Sequence, residues 1–331
     1  MLRRLIVFIL TAAILAALSA PIARAGSNEL RGRVIILDAG HGASTTNTFA
    51  GYDEQVTMLK LALMIKPLLE SRGATVHLTR EDYETVLLSV RAAMVNILAL
   101  EAVRDAGYRR YAVSGHMSLD LAEINRLLGV MQSIIDDPEE NARKYMNAPF
   151  SPRRRIHPDL ARIFELQDDP EVGNRFLFIS LHSNATPLPI DTTRSGAYVF
   201  HICTSHRNTA KYYGGYSYIE KSRRFGDILL DRMDPVGLRR RGVEAGNFFV
   251  IREHNVPGVL VENGFHTNAG DRANLSDDAF LERLAHAYLA AVKAYFNGSP
   301  LPAGHPALML LDVRYGAWHL AAIKHMREWE D

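Results

Sequence analysis

The chain has 331 residues, of which 47% are hydrophobic, so it can bury a substantial core as one large domain or two smaller ones. Its 38 basic residues nearly cancel its 37 acidic ones, which leaves a formal net charge of +1 at pH 7. This balance argues against nucleic acid as the main partner, because a polyanion is usually bound by a strongly basic surface.

The N-terminus has the order of a secretory signal peptide. A basic start is followed by an uncharged apolar run over residues 5–20 and then by the small residues Ala23 and Ala25. This pattern predicts a signal peptide over residues 1–25 that is removed on export, and the alternative is an uncleaved N-terminal anchor. We therefore expect a periplasmic or secreted protein with no stable membrane anchor after cleavage.

Short runs rich in Val, Ile, Leu and Phe predict buried strands along the chain. They lie at residues 34–37, 75–78, 176–181, 197–202, 248–251 and 259–261. Continuous apolar strands are typical of a sheet covered on both faces, and helical patterns lie between them. The sequence therefore predicts an α/β fold with a mixed, mostly parallel central sheet flanked by helices.

Helical periodicity is clearest at the two ends of the predicted catalytic region. One helix is expected over residues 54–72, with Gly73 as its C-terminal cap, and another over residues 277–296. A further periodic stretch covers residues 118–135 and lies within a long, mostly helical segment. These helices would cover the faces of the sheet.

The domain prediction follows from these elements. After the signal peptide, a catalytic domain is expected over residues 26–297, and residues 298–331 form a C-terminal tail of open role. The helical segment over about 84–174 is interpreted as an insertion. It is either a lid or regulatory subdomain near the cleft, on which a protein activator would act, or a structural elaboration at a remote edge.

The strongest polar signals follow apolar strands, where open α/β sheets place their sites. The first strand ends in Asp38 and the glycine-flanked His41, and a later strand delivers His182. Glu262 ends a third apolar strand, and Glu54 stands at the start of the first long helix. A buried strand-end carboxylate is costly unless a metal, a proton or a partner offsets it.

Taken singly, each of these signals has an ordinary structural explanation. A histidine after a strand is often hydrogen-bonded for structural reasons, and a strand-end glutamate is often part of an ion pair. Together, the two imidazoles of His41 and His182 and the carboxylate of Glu54 match the open three-ligand set of a catalytic zinc site. The glycines beside His41 are expected to let the backbone turn sharply.

Four blocks in the same order resemble the zinc-dependent N-acetylmuramoyl-L-alanine amidases, which are bacterial cell-wall hydrolases. They are D-A-G-H-G at residues 38–42, the helix start at residues 54–59, S-L-H-S-N at residues 180–184, and P-G-V-L-V-E-N-G-F-H-T-N at residues 257–268. The resemblance covers residues 34–80 and 176 to about 296, and the long helical segment between them departs from it.

The resemblance implies a function and roles for residues. It implies one Zn²⁺ held by His41, Glu54 and His182, with Glu262 as the catalytic residue that activates water. It also implies hydrolysis of the amide bond between N-acetylmuramic acid and L-alanine, with peptidoglycan as the substrate.

For each of three further residues near these blocks, the sequence leaves two roles open. Asp38 either orients His41 from behind or caps a turn. Asn184 and Arg252 either bind polar groups of the substrate or are structural. Among the histidines that match no family ligand, His266 lies close enough in sequence to Glu262 to line the cleft.

Two other functions stay open at this stage. The chain could be a different exported zinc amide or peptide hydrolase on the same scaffold, because the residues define the metal chemistry better than they define the glycan. It could also be an inactive wall-binding regulator, although the presence of Glu262 and all three ligands argues against that.

Overall fold

The structure is a computed structural model that describes residues 28–44, 47–114, 119–149, 152–202 and 207–297. The predicted signal peptide and the predicted tail lie outside the described residues. Of the helices it does describe, none combines the length and the apolar character needed to cross a bilayer.

A six-stranded sheet forms the centre of the domain. Its strands are β1 (Val34–Ala39), β4 (Thr75–Leu78), β5 (Phe176–Asn184), β6 (Ala197–Ile202), β7 (Arg240–Gly246) and β8 (Gly258–Phe265), while β2 (Thr48–Phe49) and β3 (Tyr52–Asp53) form a separate two-stranded hairpin. The order is β4-β1-β5-β8-β6-β7. The first four of these are parallel, β6 is antiparallel to β8, and β7 is parallel to β6, which confirms the mixed, mostly parallel sheet.

Helices cover both faces of this sheet. They are α1 (Glu54–Glu70), α2 (Leu88–Ser114), α3 (Leu121–Asp136), α4 (Pro138–Tyr145), α5 (Pro158–Gln167), α6 (Pro170–Arg175), α7 (Arg207–Tyr212), α8 (Ile219–Met233), α9 (Phe249–Arg252), α10 (Ala269–Leu275) and α11 (Asp278–Phe296), with a 3₁₀ turn at Asp234–Val236. The helices predicted over 54–72, 118–135 and 277–296 correspond to α1, α3 and α11.

One helical layer consists of α1, α8 and α11, whose apolar faces share a core with the sheet. Helix α1 begins where the Asp53 side chain accepts a hydrogen bond from the Val56 N–H at 3.1 Å, a standard N-terminal cap. Beyond its end, Gly73 has a φ of +89°, a backbone conformation that favours glycine. The Asp53 cap makes Glu54 the first residue of the helix.

The opposite layer contains α2, α3, α5, α6 and α9 around a second core. Helix α2 has 27 residues and a length of about 40 Å. Its Ala92, Val95 and Ala99 are completely buried in the core that also includes Val34 and Ile36 of β1. Much of the segment predicted as an insertion therefore forms one of the two covering layers of the sheet.

One local prediction was wrong and one strand was not predicted, and both have a physical cause. Residues 248–251 were predicted as a strand, but Phe249–Arg252 form the short helix α9. A run of four apolar residues has no period that separates a buried helical turn from a strand. Strand β7 was not predicted, because Arg240–Gly246 is the outer strand of the sheet and is mostly exposed, so it lacks an apolar run.

Candidate metal centre

Three elements bring His41, Glu54 and His182 to the same edge of the sheet. His41 follows β1, Glu54 opens α1, and His182 lies near the end of the neighbouring strand β5. Glu54 Oε1 lies 3.2 Å from His41 Nε2 and 3.1 Å from His182 Nδ1. One ligand atom from each residue lies within 4.8 Å of the other two, so the predicted ligands converge on one point.

The loop that presents His41 is shaped by close approach of its neighbours. His41 itself has a φ of 60°, so the histidine, and not either glycine, adopts the left-handed conformation. A Cβ at Gly40 would lie 2.3 Å from Cε1 of His182, and a Cβ at Gly42 would lie 2.7 Å from the carbonyl oxygen of Glu84. The two glycines therefore leave room for the site, which differs from the turning role predicted for them.

The Glu54 carboxylate is fully buried and held on both oxygens. The Ser183 N–H donates to Oε1 at 2.9 Å, and Asn47 Nδ2 donates to Oε2. Burial alone would raise the pKa of Glu54, but hydrogen bonds and charge interactions with His182 and His41 lower it well below its usual range. Glu54 is therefore held as an anion, the form in which a carboxylate binds a cation.

A polar network behind Glu54 was not predicted from the sequence. The Ser183 hydroxyl lies 2.9 Å from the Tyr52 hydroxyl, which donates to it, and 3.0 Å from His266 Nδ1. The rings of Tyr52 and His266 are stacked with centroids 5.3 Å apart. His266 is 1% exposed, so it lies behind the ligands and supports the residue whose backbone holds Glu54.

Asp38 lies in the core beneath the site. Its carboxylate accepts hydrogen bonds of 2.6 Å from Thr79, Ser180 and Arg91. Burial alone would raise the pKa of Asp38, but the Arg91 charge and these hydrogen bonds lower it to about 2. Arg91 also donates to the carbonyl oxygen of His41, so Asp38 acts on His41 through Arg91 and the backbone, not at the imidazole.

Glu262 lies on β8 in register with His182 on β5. Its Oε2 atom is buried and has no hydrogen-bond partner among the described residues. Burial raises the pKa of Glu262 to about 7; His182 opposes this effect and Glu54 adds to it. A carboxyl group in this setting can hold or release a proton near neutral pH.

Arg252 is fully buried and makes contacts with neighbouring segments of the chain. It is 0% exposed and its Nε lies 2.8 Å from Glu253 Oε1, while Nη2 donates to the carbonyl oxygen of Ala148 at 2.7 Å. Arg252 thus joins α9 to the segment after α4.

Asn184 is partly buried at the end of β5, where its carbonyl oxygen accepts a hydrogen bond from the His266 N–H at 2.9 Å.

The donor set fits a zinc ion. Two imidazoles and one carboxylate are the ligands of many catalytic zinc sites, and three protein ligands leave a position for water or substrate. The partnerless, buried Oε2 of Glu262 on the strand beside His182 is the polar group expected next to such an open position. The geometry therefore describes a candidate metal centre whose donor set suits zinc, with a buried carboxyl oxygen on the neighbouring strand.

Comparison with known proteins places this centre in a family. The sequence profile described as N-acetylmuramoyl-L-alanine amidase matches residues 35–103 and 160–294, which is more than half of the chain. The chain belongs to the N-acetylmuramoyl-L-alanine amidase family. The matched residues include all three candidate ligands and Glu262. They do not include residues 104–159. The unmatched part is thus shorter than the insertion predicted over about 84–174.

Two curated members of the amidase family cover most of this chain. AmiA of Escherichia coli strain K12 is 35% identical over 268 residues, which are 80% of this chain and 76% of AmiA. AmiC of Escherichia coli O6:H1 strain CFT073 is 23% identical over 268 residues, 80% of this chain and 52% of AmiC. The chain therefore spans about half the length of AmiC.

A solved N-acetylmuramoyl-L-alanine amidase from Clostridium difficile 630 is 16% identical, covering 81% of this chain and 98% of that one, with a TM-score of 0.49.

Proposed function

We propose that this protein is a zinc-dependent amidase that hydrolyses the bond between N-acetylmuramic acid and L-alanine in peptidoglycan. Family membership and the amidase names of AmiA and AmiC support the substrate and bond. The observation on which the chemistry rests most is the Oε2 atom of Glu262, which is buried and has no partner among the described residues. Glu262 is in register with His182, one of three converging ligand residues. This combination provides both a metal site and a proton acceptor.

The proposed mechanism assigns one task to each group. Zinc held by His41, Glu54 and His182 would act as a Lewis acid toward the scissile carbonyl and would make a water molecule more acidic. Glu262 accepts the proton of the attacking water and then donates it to the nitrogen of the departing L-alanine. The raised pKa of Glu262, about 7, suits a group that must both take and return a proton.

The surrounding residues keep these groups in place. Ser183 and Asn47 hold the two oxygens of Glu54, so the carboxylate cannot rotate away from the histidines. Arg91 holds the His41 carbonyl, and the space left by Gly40 lets the His182 ring approach the loop. A site that is already ordered before substrate arrives needs little reorganisation during the reaction.

Location and regulation follow as further proposals. Because peptidoglycan lies outside the cytoplasmic membrane, we place the protein in the periplasm or outside the cell, after export by the predicted signal peptide. A protein activator acting on the helical insertion stays a prediction.

Product analysis tests this function. Purified, zinc-loaded protein is incubated with peptidoglycan, and new amino groups of alanine and new reducing sugar ends are measured separately. We expect new alanine amino groups without new reducing ends, in wild type and in the surface control Glu282→Ala alike. Cleavage of another amide bond would indicate a different zinc hydrolase, and binding to the wall without any cleavage would indicate the inactive regulator.

A further inference from the structure

A pocket lies between the end of the insertion and helix α7. It has a volume of about 390 Å³ and is lined by Arg155, Ile156, Lys211, Tyr212, Tyr213 and Gly214. This volume is within the range of small-ligand sites, which begins near 300 Å³. The pocket includes none of the candidate zinc ligands and needs a separate explanation.

Hydrogen bonds and a ring contact hold part of the pocket wall in place. The Ile156 N–H donates to the Tyr212 carbonyl oxygen at 3.0 Å, which ties the insertion to the end of α7. The Tyr213 hydroxyl donates to the buried Glu253 Oε1 at 2.6 Å, and the Arg252 guanidinium lies 5.6 Å from the centre of the Tyr213 ring. These contacts hold the Ile156, Tyr212 and Tyr213 part of the pocket in place before any ligand binds.

The charge of the pocket is positive. Within the described part of the chain, Arg155 and Lys211 form no ion pair and no acidic side chain lines the pocket. Other arginines of the same helical layer do have carboxylate partners: Arg110 with Asp169, Arg126 with Asp159, and Arg162 with Glu123. A pair of cations left without acidic partners beside a pocket is what an anionic ligand requires.

The pocket lies away from the candidate zinc centre. Tyr198, at the start of β6, pairs with Glu262 at the zinc edge of the sheet, while His201 pairs with Val259 near the start of β8. The chain thus leaves β6 after Ile202 at the opposite edge and continues into α7. Arg155 and Ile156 also belong to residues 104–159, which the amidase profile does not match.

We propose that this pocket is an accessory site that binds a carboxylate of a peptidoglycan stem peptide other than the one being cleaved. This inference rests on the proposed function. The planar guanidinium of Arg155 and the Lys211 ammonium suit a carboxylate, and the tyrosine rings suit the adjoining aliphatic part of a peptide. A pocket of this size fits one or two residues, whereas a stable protein partner needs a contact of about 800 Å² on each side.

Such a site would act through multivalency. Peptidoglycan presents many stem peptides on one polymer, so a peptide held in the pocket raises the local concentration of scissile bonds at the zinc centre. A soluble fragment with a single stem peptide cannot occupy both sites at once. Loss of the accessory site should therefore weaken the binding of intact wall and leave hydrolysis of a small soluble substrate unchanged.

A binding experiment tests the pocket itself. Zinc-loaded full chain is titrated calorimetrically with a free stem tetrapeptide, and with the same peptide after amidation of its carboxylates. We expect Arg155→Ala/Lys211→Ala to weaken tetrapeptide binding about tenfold, in line with the loss of charge-assisted hydrogen bonds, and the control Arg153→Ala to leave it unchanged. Equal binding of the amidated peptide, or tighter Arg155-dependent binding of a glutamate decapeptide, would overturn the assignment.

A kinetic comparison separates this inference from the proposed function. Hydrolysis of intact sacculi and of a soluble disaccharide-tetrapeptide is measured for wild type and the double variant. We expect the half-saturating concentration of sacculi to rise about tenfold in the double variant with kcat unchanged, and the soluble substrate to be cleaved equally. Identical kinetics on sacculi would refute the accessory site. Inactive wild type with intact tetrapeptide binding would refute the amidase proposal and leave the pocket supported.

Discussion

The buried pair of Asp38 and Arg91 gives a prediction with a calculable size. Replacing Asp38 with Asn removes the charge that pairs with Arg91 at 2.6 Å, in a region where both side chains are at most 2% exposed. The pKa of Asp38 falls from an unfolded value near 3.8 to about 2 in the fold, which corresponds to about 2 kcal/mol of stability at neutral pH. Leaving Arg91 without a charge partner adds a further cost, so we expect Asp38→Asn to lower the free energy of unfolding by about 3 kcal/mol.

The sign of the pH dependence follows from the lowered pKa. A carboxyl whose folded pKa is lower than its unfolded pKa stabilises the fold above the unfolded value, and this stabilisation is lost as the pH falls through the folded value. The wild type should therefore lose about 2 kcal/mol between about pH 4 and pH 2 through Asp38 alone. The unfolding free energy of Asp38→Asn should lack this part of the pH dependence. The difference in unfolding free energy between the two proteins should therefore shrink at low pH.

Urea unfolding of the metal-free protein is the assay for this prediction. A chelator removes the contribution of metal binding to the measured stability, so the unfolding free energy reports the ion pair itself. The double variant Asp38→Asn/Arg91→Met removes both charges and also the hydrogen bonds from Arg91 to backbone carbonyl oxygens, so its stability relative to Asp38→Asn compares an unpaired buried charge with the loss of those hydrogen bonds. Equal stability of wild type and Asp38→Asn at pH 7, or parallel curves down to pH 2, would refute this reasoning.

Two further substitutions test how the site is built. Gly40→Ala places a Cβ 2.3 Å from Cε1 of His182, so we expect a folded protein, by near-UV circular dichroism, that binds markedly less zinc by mass spectrometry. Ser183→Ala keeps the N–H donated to Glu54 but removes the hydroxyl between Tyr52 and His266, so we expect zinc to be retained and stability to fall by about 1–3 kcal/mol. Full zinc binding by the first variant, or unchanged stability of the second, would contradict these contacts.

The sequence predicted the parts of the site that depend on strand ends. His41, His182 and Glu262 each follow or end an apolar strand, and the adjacent strands β1, β5 and β8 bring those ends to one edge of the sheet. Parallel strands make this inference reliable, because their carboxyl ends meet at the same side. The ordered blocks shared with the amidase family then identified Glu54 at the start of α1.

The supporting network could not be predicted in the same way. Tyr52 and Ser183 are 131 positions apart, and Ser183 and His266 are 83 apart. The first hydrogen bond forms only after the β3 hairpin meets β5, and the second only after β5 and β8 pair. Arg91 lies in the segment taken as an insertion, and its sequence position gave no sign of a contact with Asp38. Contacts between single side chains depend on tertiary packing, which local patterns do not specify.

The role of the helical segment also required the structure. Its length suggested an addition to the domain, but α2 supplies a face of the core, and residues 88–103 and 160–175 lie within the family match. Deleting the predicted insertion over about 84–174 would therefore remove part of the core along with any regulatory element. The part of the segment that the family profile does not match is residues 104–159.

The most direct test measures zinc content and muropeptide release together, by mass spectrometry, for the purified protein and for Glu262→Ala. We predict that the wild type holds about one zinc and releases stem peptides, and that Glu262→Ala keeps its zinc but loses activity by at least about 100-fold, since the proposed mechanism uses Glu262 as a proton acceptor and not as a ligand. A wild type that binds no metal, or a Glu262→Ala variant with full activity, would contradict this account.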